Sequence, residues 1–230
     1  MNLRFKQLYD PTSSTYTYIL YDNNNLEAVI IDPVIEKFSR DLTLIKQLNL
    51  KVLFIFETHI HADHITSSYK LSEELGSKIA VNRNANLKCG DIAINEGQEF
   101  KFGSFTVKSL LTPGHTDTCT TFHCENMLFT GDTLLIGGCG RTDFQQGSSE
   151  KLFNSVREKI FSFPDDTLVY PAHDYNGFTS SSVGEEKLHN PRLALDKTKE
   201  QFVEIMNNLK LKQPEKINEA VPANLKCGRT

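Results

Sequence analysis

Apolar positions along the chain come in short runs and alternations separated by turn residues, and their periods predict a succession of strands and helices. Residues 16–21 form a β-prone run, Asp22-Asn23-Asn24-Asn25 reads as a turn, and residues 28–31 resume the run before stopping at Asp32-Pro33, so a hairpin is expected. Leu42, Ile45 and Leu48 share one helical face and lead into residues 52–56, which read as a short buried strand. A helix is expected over residues 63–75, closed by Gly76, followed by a brief strand at 78–81. Phe100 and Phe102 alternate up to Gly103-Ser104, and Phe105 and Val107 resume the alternation as a second hairpin. Strands at 128–129 and 168–170 flank a helix with Leu152, Phe153, Val156 and Ile160 on one side. Phe202, Ile205, Met206 and Leu209 mark a last helix by their i, i+3, i+4, i+7 spacing. No repeat, linker or break in composition divides the sequence. The reading is one mixed α/β domain over residues 1–230, layered with helices outside, with a C-terminal helical extension from about residue 180 to 230.

Composition narrows the function classes. Hydrophobic residues make up 39% and charged residues 23% of the 230, the balance of a folding globular chain rather than a disordered one. The formal charge is -4 and no basic run stands out, so nucleic acid is not an expected partner. Apolar runs fall far short of the ~18 residues of a membrane span, and no membrane association is expected. Cys89, Cys119, Cys124, Cys139 and Cys227 are odd in number, scattered and never in a CxxC pair. Neither a disulfide framework nor a cysteine zinc site is expected, and a reducing compartment fits. The first residues run into strand-like sequence without an apolar signal core or an Arg/Ser-rich transit stretch. The expectation is cytoplasm, or mitochondrial matrix if a presequence has been removed.

The chemistry is concentrated in Thr58-His59-Ile60-His61-Ala62-Asp63-His64, three imidazoles and a carboxylate directly behind a predicted buried strand. Unpaired polar groups there are costly without a cation, and imidazole nitrogen with carboxylate oxygen is the usual donor set of zinc and non-haem iron. The same arrangement recurs at Pro113-Gly114-His115, Gly131-Asp132 and Pro171-Ala172-His173, each after a predicted strand. Four strand ends on one rim bring these residues together although they lie far apart in the chain. His123 and His189 read as surface or satisfied histidines, and Asp10, Asp22 and Asp91 as turn residues. Gly137-Gly138-Cys139-Gly140-Arg141 lacks the spacing of a phosphate loop and reads as a tight turn, and no GxSxG elbow is present.

The succession HxHxDH, Pro-Gly-His-Thr, Gly-Asp and a last His after a strand resembles the metallo-β-lactamase superfamily, which implies an αββα sandwich. More narrowly, Gly-Cys-Gly-Arg141-Thr-Asp143-Phe-Gln-Gln-Gly, Tyr170-Pro-Ala-His173-Asp174-Tyr175-Asn-Gly-Phe, Asn190-Pro-Arg192-Leu and Val221-Pro-Ala-Asn-Leu-Lys-Cys227-Gly resemble the persulfide dioxygenases of the ethylmalonic-encephalopathy protein type. Asp117-Thr118 and Ser67-Ser68 depart from that pattern where glycine is frequent. The resemblance implies one Fe(II) per chain on His59, His115 and Asp132. His61, Asp63, His64, His173 and Asp174 would then be outer residues or the vestige of a second metal site. It implies glutathione persulfide and O2 as substrates, sulfite and glutathione as products, and a homodimer as a compatible assembly. His173 and Tyr175 are the implied catalytic residues, and Arg141, Tyr175 and Arg192 the implied substrate contacts, each arginine alternatively engaged in an ion pair.

A dinuclear zinc thioesterase of the glyoxalase II kind stays open at this point. The sequence holds His59, His61 and His115 for one metal, Asp63, His64 and His173 for another, and Asp132 to bridge them. A non-enzymatic metal-binding protein fits less well, because no ligand position is missing.

Overall fold

The computed structural model describes residues 2–229. Two six-stranded sheets lie face to face. The first runs in chain order through β1 (Leu3–Asp10), β2 (Thr15–Asp22), β3 (Glu27–Ile31), β4 (Lys51–Phe56), β5 (Lys78–Asn82) and β6 (Ile92–Ile94), antiparallel up to β3 and parallel beyond it. The second contains β7 (Glu99–Phe102), β8 (Phe105–Leu111), β9 (Thr120–Cys124), β10 (Met127–Gly131), β11 (Leu168–Pro171) and β12 (Ser181–Ser182), with β10 and β11 its parallel pair.

The two-residue period of the strands sorts their side chains into three apolar layers. Tyr18, Leu20, Val29, Ile31 and Phe56 face Phe100, Phe102, Phe122 and Phe129 between the sheets. Their neighbours Ile19, Ala28, Ile30 and Ile55 point the other way, onto Ile45 of α1 (Phe38–Gln47) and Leu71 of α2 (Ser68–Leu75). On the far side Leu128 and Val169 pack with Leu152 of α3 (Ser149–Asn154), Val183 of α4 (Val183–His189), and Phe202 and Met206 of α5 (Lys199–Asn207). This is the αββα sandwich, and it explains why β2 is buried along its whole length: one face meets the opposite sheet, the other a helix layer.

Several elements depart from the sequence reading. The helix expected from Asp63 starts only at Ser68, so residues 59–66 remain irregular. In that stretch the His61 and His64 carbonyls accept hydrogen bonds from the Asn224 side chain instead of from helical N–H groups. The helix carrying Leu152 to Ile160 changes register at Ser155 and continues as a π-helix, with the Phe161 N–H reaching the Val156 carbonyl. The last predicted helix ends at Asn207, and a further one, α6 (Ile217–Asn224), returns the chain to the first sheet's side.

The cysteine expectation needs correction as well. Cys89 and Cys227 form a disulfide across 138 residues, while Cys119, Cys124 and Cys139 are free and buried. Nothing local marks a pair so far apart, because only the return of α6 brings its second member beside the loop after β5.

Phe56, three residues before His59, packs at a tilt on Phe122 across the inter-sheet layer with ring centroids 4.7 Å apart. Phe122→Ala should lower the unfolding free energy by about 3–5 kcal/mol, the range for opening such a cavity. Equilibrium denaturation in urea reads the change, and a loss below about 1 kcal/mol would mean that the layer collapses around the gap.

Candidate metal centre

The strand ends meet on one rim. His59 follows β4, His115 follows β8, Asp132 follows β10 and His173 follows β11. Hydrogen bonds between the sheets hold this rim together: the Tyr16 N–H donates to the Ala172 carbonyl at 2.7 Å and the Thr120 N–H to the Thr58 carbonyl at 2.8 Å. Glycine is required at two points. Gly131 has φ +55°, and a Cβ there would lie 2.7 Å from Thr58. A Cβ on Gly140 would come within 2.7 Å of the His115 ring.

Donor atoms of His59, His115 and Asp132 lie within 4.8 Å of one another. Each of the three has its outer atom fixed by protein. His59 Nδ1 is 3.0 Å from Thr58 Oγ1, whose hydroxyl donates to Asp32 Oδ2 at 2.8 Å. His115 Nδ1 donates to the Arg141 carbonyl at 2.6 Å. Asp132 Oδ1 accepts from His173 Nδ1 at 2.7 Å, which leaves Oδ2 facing His115 Nε2 at 3.6 Å. Such outer bonds select the tautomer and aim the second nitrogen or oxygen of each group inward, the usual support of a metal site. Burial, reinforced by His61, holds the His59 imidazole well below its ordinary pKa, so its inner nitrogen keeps a lone pair.

The remaining residues of the motif form a second group, His61, Asp63, His64 and His173, also within 4.8 Å of one another. Three of its members, Asp63, His64 and His173, bind each other. His173 Nε2 donates to Asp63 Oδ2 at 2.9 Å, and His64 Nδ1 is 3.0 Å from the same oxygen. Against the burial that would lower it, Asp132 and Asp63 hold the His173 imidazole well above its ordinary pKa, and His173 in turn keeps both carboxyls low. His173 is therefore a charged strut between the two carboxylates. His61 Nε2 lies 3.1 Å from Asp32 and 3.6 Å from Glu57, while its Nδ1 and the Nε2 of His64 are buried without hydrogen bonds. Burial pushes the Glu57 carboxyl up to about 7, and Asp32 and Glu57 carry the His61 imidazole up to about 9 despite the same burial.

A cavity of about 700 Å³ opens over His59, His115 and Asp132. Arg141, Asp174, Tyr175 and Arg192 all line it, but their engagements differ from expectation. The Arg141 fork, expected to receive a substrate carboxylate, is closed on Asp143 by two bonds of 2.7 Å and also donates to the Lys212 carbonyl at 2.6 Å. Asp174 takes no part in the second metal group; it accepts the Asn176 and Phe178 N–H groups at 2.8 Å and shapes the turn that carries Tyr175. Tyr175 is 70% exposed, its ring parallel to that of His173. Arg192 donates one amino group to the Cys139 carbonyl at 3.2 Å. His189 is exposed, and His123 satisfies itself on the Glu125 carbonyl, both away from the site. Leu135 and Gly138 exchange backbone hydrogen bonds, so the glycine run is a tight turn.

Sequence reasoning missed the residues that hold the irregular 59–66 segment. Thr118 accepts the Ile60 N–H, Gln145 donates to the Ile60 carbonyl, and Asn224 donates to the His61 and His64 carbonyls while accepting the Thr66 N–H. Buried irregular backbone needs such partners, and that need was readable, but not which side chains supply them.

This fold and this histidine-aspartate rim define a class: residues 10–173 match the metallo-beta-lactamase superfamily, and the chain belongs to it. Within that superfamily it is similar to human "Persulfide dioxygenase ETHE1, mitochondrial", 50% identical over 97% of this chain and 88% of that protein. The crystal structure of ETHE1 from Myxococcus xanthus superposes with a TM-score of 0.95 at 45% identity, covering 98% of this chain and all of that one. By contrast, Glyoxylase B2 of Dictyostelium discoideum is 27% identical over 94% of this chain and 88% of its own length.

Asn224→Asp preserves volume but removes the amide donor from two buried carbonyls. It should weaken metal binding by about 10–100-fold, the usual effect of losing an outer support, as read by competition with a chelator. Unchanged affinity would remove Asn224 from the site.

Proposed function

We propose that the chain is an iron-dependent persulfide dioxygenase that oxidises glutathione persulfide with O2 to sulfite and glutathione. The observation that carries this reading is the set of two imidazoles and one carboxylate, each held from behind and all lining one cavity. The similarity to persulfide dioxygenases supports it over the thioesterase reading. Two nitrogens and one oxygen, with donor atoms within 4.8 Å of one another, suit Fe(II). When bound by His59, His115 and Asp132, iron supplies a redox centre with positions left for a persulfide sulfur and for dioxygen. Zinc has no redox chemistry to offer the same reaction.

The protein side of the chemistry follows from the hydrogen bonds. Imidazolium His173 holds Asp132 by one oxygen and keeps the other turned to the metal-facing side. Its second N–H is committed to Asp63. Tyr175 stands at the cavity mouth above His173, where its phenol donates a directed hydrogen bond to the entering thiol's peptide. Arg192 contributes its unengaged donors to the same wall, and Arg141 acts there by holding neighbouring backbone. Water then releases the oxidised sulfur as sulfite. The protein works in the cytoplasm or the mitochondrial matrix.

Metal analysis of anaerobically purified protein should find about one iron per chain. Replacing His59, His115 or Asp132 by Ala should abolish metal and activity, whereas His61→Ala should retain more iron than His59→Ala. A protein with two zinc ions and little iron, active only in that form, establishes the dinuclear rival instead.

Oxygen uptake should follow addition of glutathione persulfide and not of glutathione, which lacks the second sulfur. Hydrolysis of S-lactoylglutathione without oxygen consumption would overturn the reading.

A further inference from the structure

Residues 209–216 have no regular secondary structure and pass along the cavity, where Leu211, Lys212, Pro214 and Lys216 line one wall. This strap is tied at two points. The Arg141 guanidinium donates to the Lys212 carbonyl at 2.6 Å and to the Leu211 carbonyl at 3.5 Å, and Lys216 Nζ pairs with Glu36 at 2.9 Å. Arg141 itself is neutralised by Asp143, and Lys216 by Glu36. Among the described residues, the Lys212 ammonium has no hydrogen-bond or ion-pair partner, although its backbone is the point at which Arg141 grips the strap. With its backbone fixed and its side chain exposed, Lys212 lines, together with Glu215 on the same wall, a cavity of about 700 Å³, which suits an anionic ligand of peptide size. Leu211 beside it offers apolar surface, 49% exposed, to the rest of such a ligand.

We infer that Lys212 is the residue that recognises a carboxylate of the persulfide's carrier thiol, and that Arg141 is a positioning residue that holds the strap for it. The inference rests on the persulfide dioxygenase reading for its substrate, but its geometry needs only an anionic thiol in this cavity. An exposed ammonium at a cavity rim is a modest, salt-sensitive contact.

The iron-loaded enzyme and its Lys212→Met variant are compared on glutathione persulfide and on the persulfide of glutathione diethyl ester, whose carboxylates are masked. The kcat/KM preference for the charged over the masked substrate should fall about 3–10-fold in Lys212→Met, through KM rather than kcat, and Lys212→Arg should restore most of it. The salt dependence of KM should flatten in Lys212→Met. Calorimetric titration with glutathione reads the same contact without turnover, and its Kd should rise by a similar factor. If no persulfide is oxidised while glutathione still binds more weakly to Lys212→Met, the reaction assignment fails and the carboxylate contact stands. Equal preference and equal Kd in wild type and variant, or no glutathione binding at all, overturns the role of Lys212.

Discussion

Imidazoles and carboxylates placed at strand ends where water is excluded cost free energy that only mutual pairing or a bound cation returns, and the whole rim is arranged around that cost. His173 between Asp132 and Asp63 meets it for three groups at once. His59, His115 and Asp132 meet it from behind, through Thr58, the Arg141 carbonyl and His173, and keep their inner atoms uncommitted. The two groups therefore differ in their hydrogen bonding and not in their residue types: Asp63, His64 and His173 bond to one another, while His59, His115 and Asp132 are held from outside. The same inventory serves one metal or two, and the partners of each outer atom separate the cases.

The sandwich carries this arrangement because its layers are fixed by the alternation of side chains on each strand. That alternation was legible: Tyr16 to Tyr21 and Ala28 to Ile31 read as strands, and Phe100 with Phe102 and Phe105 with Val107 as a hairpin, which is how they fold. Convergence of four strand ends was legible too, because each predicted strand is followed within a few residues by a histidine or aspartate, His59, His115, Asp132 and His173. What lay out of reach depends on partners distant in sequence. Helical pattern alone started α2 five residues early, since nothing near Asp63 announces that Asn224 takes the carbonyls of His61 and His64. The Cys89–Cys227 bond and the Arg141–Asp143 fork were hidden for different reasons, the first by a sequence separation of 138, the second because a guanidinium suits a neighbouring carboxylate as well as a substrate's.

Two hydroxyl side chains near the histidine motif find uses here. Thr118 accepts the Ile60 N–H, and Ser68, with Thr66, donates to the buried Glu57 carboxylate. Hydroxyls thus stand where a glycine would leave backbone or carboxylate oxygen to seek water.

The position of Asn224 also sets the order in which the protein becomes complete during its synthesis. Every strand but β12, the histidine motif and the last strand-end histidine have all been translated by residue 173, yet the segment bearing His61 and His64 still lacks the amide that holds it. A nascent chain that ends short of residue 224 has a metal-facing rim with its central loop untied. The backbone behind the histidine motif is thus complete only once nearly the entire polypeptide has been made.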